Sequence, residues 1–254
     1  GDYLVFIDSD CIVPPHYLKT INDFLQNRPV EGFGGPDREH PDFTPIQKAI
    51  SYAMTSTLTT GGIRGRKKHI GKFQLRGFNM GIKRDVFFSI GGFSGMQVAE
   101  DIDISMRLLK AGYSTALIPE AFVYHRRKST LRKFFKQLFM HGKGRIDLYI
   151  RHRDALKLVH WLPSLFVLYL IIGTLLSFFN TLWAAFFAGT LFIYAVSLFI
   201  DATVQNKSAY VGFLSMVASF EMLIAYGLGL MKNFVARIIL KSNKDSIKDT
   251  ILKE

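Results

Sequence analysis

The sequence predicts an α/β domain followed by α-helical membrane segments, and three observations predict it. Residues 1–157 alternate short apolar runs with turn residues and dispersed charge, the pattern of a soluble α/β protein. From Trp161 to Ile200 the chain contains no Asp, Glu, Lys or Arg. A second apolar stretch runs from Ala209 to Met231. A helix needs roughly 20 apolar residues to cross a bilayer, so the first stretch is about two spans long.

Taken in order, Tyr3-Leu4-Val5-Phe6-Ile7 reads as a buried strand ending at Asp8-Ser9-Asp10. A domain rarely starts on a buried strand and Gly1 is not a Met, so the chain is expected to lack upstream elements. Pro14-Pro15 opens a helix through about Gln26, because proline fits a first helical turn. Val30 to Gly35 is a short strand, and Gln47 to Leu58 has helical character. Thr60-Gly61-Gly62 with Arg64 to Lys68 reads as a basic loop. Gly77 to Lys83 is extended, and Asp85 to Ile90 is a helical turn closed by Gly91-Gly92.

Glu100 to Lys110 is a helix with Ile104, Leu108 and Leu109 as its apolar residues and Gly112 as its stop. Thr115 to Pro119 and Ala121 to Tyr124 are short strands. Ser129 to about Ile150 is a basic amphipathic helix or helix pair suited to a membrane interface. Asn180-Thr181 marks the turn between two spans. The expected divisions are 1–128 for the α/β part, 129–157 for interface helices, 158–240 for membrane helices and 241–254 for a polar tail. Within the third, the helices fall at about 161–179, 182–200 and 209–231.

The formal charge is +12, and between Arg126 and Lys157 there are eleven Lys or Arg against two Asp. Basic residues beside a span mark the cytoplasmic side and attract anionic headgroups. No nucleic-acid-binding module accompanies them, so membrane lipid is the expected partner and nucleic acid is not. Cys11 is the single cysteine, which excludes an internal disulfide framework. The third span poses a conflict: crossing three times puts the C-terminus outside, yet Lys232, Arg237, Lys241, Lys244 and Lys248 favour inside. The third stretch, with Glu221 at its centre, could instead lie in the interface or re-enter.

Asp8 and Asp10 are two apart, and in an extended chain such side chains point the same way. Two hard oxygen donors suit Mg²⁺ or Mn²⁺. Glu100-Asp101-Ile102-Asp103 opens a helix where the dipole favours negative charge, and Asp103 can pair with Arg107 one turn on. A carboxylate held there could take a proton from an attacking hydroxyl. Arg76-Gly77-Phe78-Asn79 offers close backbone approach and an amide with both donor and acceptor. His125 follows a strand, and Gln137, His141, Gly142, Lys143, Gly144 and Arg145 read as a basic glycine-containing turn that could hold a diphosphate.

Asp8-Ser9-Asp10, Gly34-Gly35-Pro36, Gly77-Phe78-Asn79-Met80 with Gly91-Gly92-Phe93, and Glu100-Asp101-Ile102-Asp103 through Arg107 to Gly112-Tyr113 occur in that order. Over about residues 1–150 this resembles the family-two glycosyltransferases of bacterial cell-surface polysaccharide synthesis, which have the GT-A fold. The resemblance implies a DxD motif at Asp8 and Asp10 for a divalent ion on the donor diphosphate. It implies Asp101 as catalytic base, with Glu100 helping to place the acceptor. His125 is similar to a histidine that completes the metal or diphosphate site in some members. Arg76, Gly77, Asn79, Asp103, Gln137, His141 and Arg145 are the expected donor or acceptor contacts.

Gln137 and Arg145 stand where processive relatives carry Gln-x-x-Arg-Trp, but no Trp follows and the spacing is longer. Transfer of a single sugar is therefore expected over processive synthesis. The expected enzyme is a metal-dependent inverting transferase in the cell membrane with a cytoplasmic catalytic domain. It would use a nucleotide-sugar donor and a lipid-linked or saccharide acceptor, and the isolated chain is expected to be poorly active. The alternatives from other classes are a catalytically silent membrane scaffold and, less compatible with so polar a first part, a transporter.

Overall fold

In the computed structural model, residues 1–60 and 73–242 are described. The basic loop expected around residues 61–68 and most of the polar tail lie outside the described residues. The described chain divides into two compact units, residues 1–43 with 73–126, and residues 44–60 with 127–242.

The first unit is α/β. Its strands are β1 (Tyr3–Ile7), β2 (Cys11–Ile12), β3 (Gly32–Gly34), β4 (Asp37–Arg38), β5 (Asn79–Lys83), β6 (Thr115–Leu117) and β7 (Val123–His125). Its helices are α1 (Tyr17–Asn27), α4 (Arg84–Ser89) and α5 (Glu100–Lys110). One sheet has the order β1-β5-β3-β6, antiparallel except for the parallel β3–β6 pair. A second has the order β2-β7-β4. Apolar residues of α1 and the strands, among them Tyr17, Ile21, Phe33, Ile118 and Val123, form one core; Leu75, Met80, Ile82, Ile104 and Leu108 form another beneath α5. Helix α1 begins two residues after Pro15, because Pro14 first forms a turn by accepting from the Tyr17 N–H at 3.1 Å.

The second unit is helical. It holds α2 (Pro45–Thr55), α3 (Thr57–Thr60), α6 (Leu131–Arg151), α7 (Leu162–Ser177), α8 (Thr181–Asn206) and α9 (Ala209–Phe234), which continues as a π-turn over Val235–Ile239. Local chemistry starts these helices. Thr44 and Gln47 make a reciprocal capping box ahead of Pro45. Thr130, Asn180 and Ser208 cap α6, α8 and α9 by accepting from the N–H three residues on. Three stretches are long and apolar enough to cross a membrane, Leu158–Ser177, Thr181–Asn206 and Ala209–Ile239.

Helix α9 is the hub. Ala218, Met222 and Ala225 pack with Ala49, Ile50, Ala53 and Met54 of α2 and with Phe134 and Leu138 of α6. The Tyr52 hydroxyl donates to Asp201 of α8 at 2.6 Å, and Gln205 donates to the same oxygen. One expectation is corrected here: residues 141–145 are not a turn but the middle of the uninterrupted helix α6. Gly142 is there for packing, since a Cβ would meet the Tyr226 carbonyl oxygen of α9 at 2.2 Å.

Candidate active site

Strand β1 delivers Asp8 to its end, but Asp8 and Asp10 do not converge by strand alternation. The chain turns at Ser9–Asp10, closed by the Cys11 N–H donating to the Asp8 carbonyl at 3.0 Å. The return strand β2 pairs with β7, and their register sets Cys11 opposite His125. The His125 Nε2 lies 3.2 Å from Asp10 Oδ1 and 3.9 Å from Asp8 Oδ2. Phe78 stacks on the imidazole with ring centroids 5.2 Å apart, which fixes the ring's plane.

The Asp10 carboxylate and the His125 nitrogen, 3.2 Å apart, are donors of the kind a divalent cation takes, and the nitrogen suits Mn²⁺ better than Mg²⁺. The ligand atoms of Asp10, Cys11 and His125 lie within 4.8 Å of one another. Cys11 was not anticipated in the sequence; its position directly after Asp10 was the available signal. Its thiol faces the Phe78 carbonyl at 3.6 Å, and burial, with the charges of Asp10 and Asp8 added, pushes it up to about 12. Asp8 stands outside the grouping of Asp10, Cys11 and His125, with its carboxylate 3.9 Å from His125 Nε2.

The second half of the site is the start of α5. Ala99 is held at φ 65°, ψ 23°, a left-handed conformation costly for a residue with a Cβ, and it turns the chain abruptly into the helix. Asp101 accepts the Gly77 N–H at 3.1 Å on one oxygen and the Ile102 N–H at 2.8 Å on the other. Its carboxylate is thus oriented by two backbone donors. Glu100 lines a cleft of about 440 Å³ together with Asp8, Gly77, Met80, Phe93 and the β1 residues Val5 to Ile7. Burial, with Asp101 and Asp8 adding repulsion, holds the Glu100 carboxyl above its ordinary range.

Other expected contacts are placed differently. Asn79 is fully buried, its amide donating to the Ala121 carbonyl at 2.8 Å and its oxygen accepting from the Tyr17 hydroxyl at 2.5 Å. It holds β5 to α1 and the loop before β7, and has no amide atom left for a donor sugar. Asp103 is likewise buried and pairs with Arg107 at 3.0 Å, so it supports the site from beneath. Arg76 supplies the carbonyl that accepts from the Asn79 N–H at 3.0 Å. Gln137, His141 and Arg145 belong to the second unit, where their four-residue spacing along α6 sets them on one stripe.

The family model described as glycosyl transferase family group 2 matches residues 3–200. The succinoglycan biosynthesis protein ExoA of Rhizobium meliloti (strain 1021) is 27% identical over 249 residues, covering 92% of this chain and 70% of that protein. The O-antigen chain rhamnosyltransferase WbaN of Salmonella anatum is 28% identical over 147 residues, 56% of this chain and 46% of that protein. Among solved structures, the mannosyltransferase PcManGT from Pyrobaculum calidifontis, in complex with GDP-Man and Mn²⁺, matches with a TM-score of 0.46 and 16% identity, over 92% of this chain and 62% of that one. With more than half of its length matched by the family model, the chain belongs to glycosyl transferase family group 2.

Proposed function

We propose that this chain carries the reacting groups of an inverting, metal-assisted sugar transfer from a nucleotide-sugar donor to a lipid-linked or membrane-proximal saccharide. The observation that carries the reading is one cleft lined by both Asp8 and Glu100, with His125 beside Asp8 and Asp10, and Asp101 bound to the N–H of the lining residue Gly77. Mg²⁺ or Mn²⁺, held by Asp8, Asp10 and His125, would supply positive charge to the donor diphosphate. Asp101 takes the proton of the acceptor hydroxyl while that oxygen bonds to the anomeric carbon. The bond from that carbon to the diphosphate oxygen breaks, and attack from the opposite face inverts the centre. Base catalysis contributes roughly 10²–10⁴-fold.

A second reading has one observation in its favour: Glu100, not Asp101, lines the cleft directly. In that case Glu100 receives the proton and Asp101 sets the Gly77 turn. The names of the two curated relatives support cell-surface polysaccharide synthesis as the setting. The apolar helices and the basic α6 support placement in the cell membrane with the site on the cytoplasmic face. The departures at Gln137 and Arg145 favour one sugar per encounter over processive synthesis. A catalytically silent scaffold would have little need for so assembled a donor set.

The test is donor consumption by the full-length protein in membranes, across a panel of nucleotide sugars, with and without Mn²⁺, for wild type and Asp10→Asn. Consumption of a donor by wild type only, and only with the cation, supports the transfer. No consumption of any donor, or equal turnover by the variant, moves the scaffold reading ahead.

A further inference from the structure

We propose that α9 does not cross the bilayer: it lies in the membrane interface on the side of α6, so that α7 and α8 form the crossing hairpin and the C-terminal segment stays on the side from which α7 enters. This rests on the membrane reading alone and is independent of sugar transfer.

Helices α7 and α8 run antiparallel along their length. Trp183 donates its indole N–H to the Gly173 carbonyl at 3.2 Å near the tip, the Tyr169 and Thr190 hydroxyls bond halfway, and Phe166 meets Tyr194 at 6.2 Å nearer the base. Their outer flanks are open and apolar, with Leu165, Leu168, Ile172, Leu175, Phe192 and Ile193 exposed, as a lipid-facing hairpin requires.

Helix α9 meets α7 toward the base of the hairpin and runs back along the last turns of α8, where Met216 and Phe220 pack on Leu198 and Ala202. Phe220 contacts Phe166 and Tyr194 at 5.8 and 5.4 Å. The Ser164 hydroxyl donates to the Gly227 carbonyl at 3.2 Å, and Trp161 meets Phe234 at 5.0 Å. From Phe220 to Phe234 α9 advances about 21 Å, while its partners on α7 retreat only from Phe166 to Trp161, about 7.5 Å. A helix climbing beside α7 would travel equal distances along both. Against α8 the first half of α9 does travel equally, with Gly212 on Phe199 and Thr203 and Phe220 on Tyr194, so α9 pairs with the polar end of α8 around Asp201 and Gln205 before it crosses the base of α7.

The helix alongside α9 agrees. A Cβ at Gly229 would meet the Phe139 carbonyl oxygen at 2.1 Å, so α6 and α9 touch backbone to backbone. Further along, the Asn233 amide donates to the Lys143 carbonyl at 2.8 Å and to Asp147 at 3.1 Å, and Arg237 lies 3.8 Å from Asp147. Helix α6 also carries Arg132, Lys133, Lys136, Arg145 and Arg151. A crossing α9 would draw that basic helix into hydrocarbon, where such charges are strongly disfavoured. An interfacial pair keeps the charges among headgroups and water, and it ends the conflict over the basic residues after Met231.

The experiment places single cysteines by Phe179→Cys, at the hairpin tip, and Lys241→Cys, after α9, in the otherwise complete chain. Each is probed in spheroplasts with a membrane-impermeant maleimide, before and after lysis, and peptide mapping separates label on Cys11. Labelling of the tip cysteine in intact spheroplasts, with labelling of the Lys241→Cys site only after lysis, is the expected result. Labelling of that site in intact spheroplasts overturns the proposal, and so does a tip cysteine protected until lysis. Both positions are exposed at the ends of their elements, so neither substitution disturbs a core.

Discussion

The Arg107 guanidinium binds the Asp103 carboxylate at 3.0 Å and, with its remaining N–H groups, donates to the Ile90 carbonyl at 2.6 Å and the Gly92 carbonyl at 2.7 Å. One side chain of α5 therefore clasps the Gly91–Gly92 turn, whose left-handed backbone, with φ of 82° and 61°, favours glycine at both positions. That turn leads into Phe93, which packs on Phe6 at 5.0 Å and lines the cleft.

Replacing Asp103 by Ala should strand the Arg107 charge and cost on the order of 3 kcal/mol. Arg107→Lys should keep the charge but lose the fork, loosening the turn and the Phe93 wall. A thermal melt reads the first effect. The second appears as a raised donor KM with kcat less affected.

Asp101→Asn and Glu100→Gln separate the two base assignments. The variant lacking the base should lose roughly 10²–10⁴-fold in kcat with donor KM little changed. The other should lose far less. If ionised Glu100 is required, the acid limb of the rate profile should lie above the usual glutamate range, because burial raises that carboxyl.

Asn79→Ala should damage stability and leave donor preference unchanged. It strands the Tyr17 hydroxyl and the Ala121 carbonyl, and each unsatisfied buried group costs roughly 1–3 kcal/mol. Tyr17→Phe, which removes only one of the two bonds, should cost less. A shift in which donor is consumed would contradict this assignment.

Glu31 gives an acid-sensitive contact. Its carboxylate accepts from the Ser114 hydroxyl at 2.6 Å and the Ser114 N–H at 2.8 Å, and these bonds lower its pKa. With the folded value depressed, the stabilisation is present above the unfolded glutamate value and is lost as pH falls through the folded one. Ser114→Ala should lower the melting temperature slightly at neutral pH, and the two melting curves should converge in acid. The effect is small because the group is largely solvated.

The strand β1, the helix α5 and the turn at Asn180 were legible because each is written in local chemistry: an apolar run, an acidic first turn, a capping residue. Asp8, Asp10 and Glu100 stood out for the same reason, being acidic residues at element ends. What stayed hidden depends on partners distant in the chain. Gly142 looks like a helix breaker until α9 is laid against α6, and Asn79 looks like a ligand contact until Tyr17 and Ala121 take both ends of its amide. The turn that carries Asp8 and Asp10 was not anticipated, because an extended strand end was expected there.

The central place of α9 has a consequence for biosynthesis. The Tyr52 hydroxyl bonds to a carboxylate 149 residues further along, and the apolar face of α2 is fully covered only when α9 joins α6 on it. At roughly 5–20 residues per second, a ribosome needs on the order of ten seconds to supply those partners. Throughout that interval Ala49, Ile50, Ala53 and Met54 are an uncovered greasy strip on a nascent chain. The second unit is thus sealed by a helix made long after α2, and a chain released before Ala209 would leave the ribosome with that strip still open.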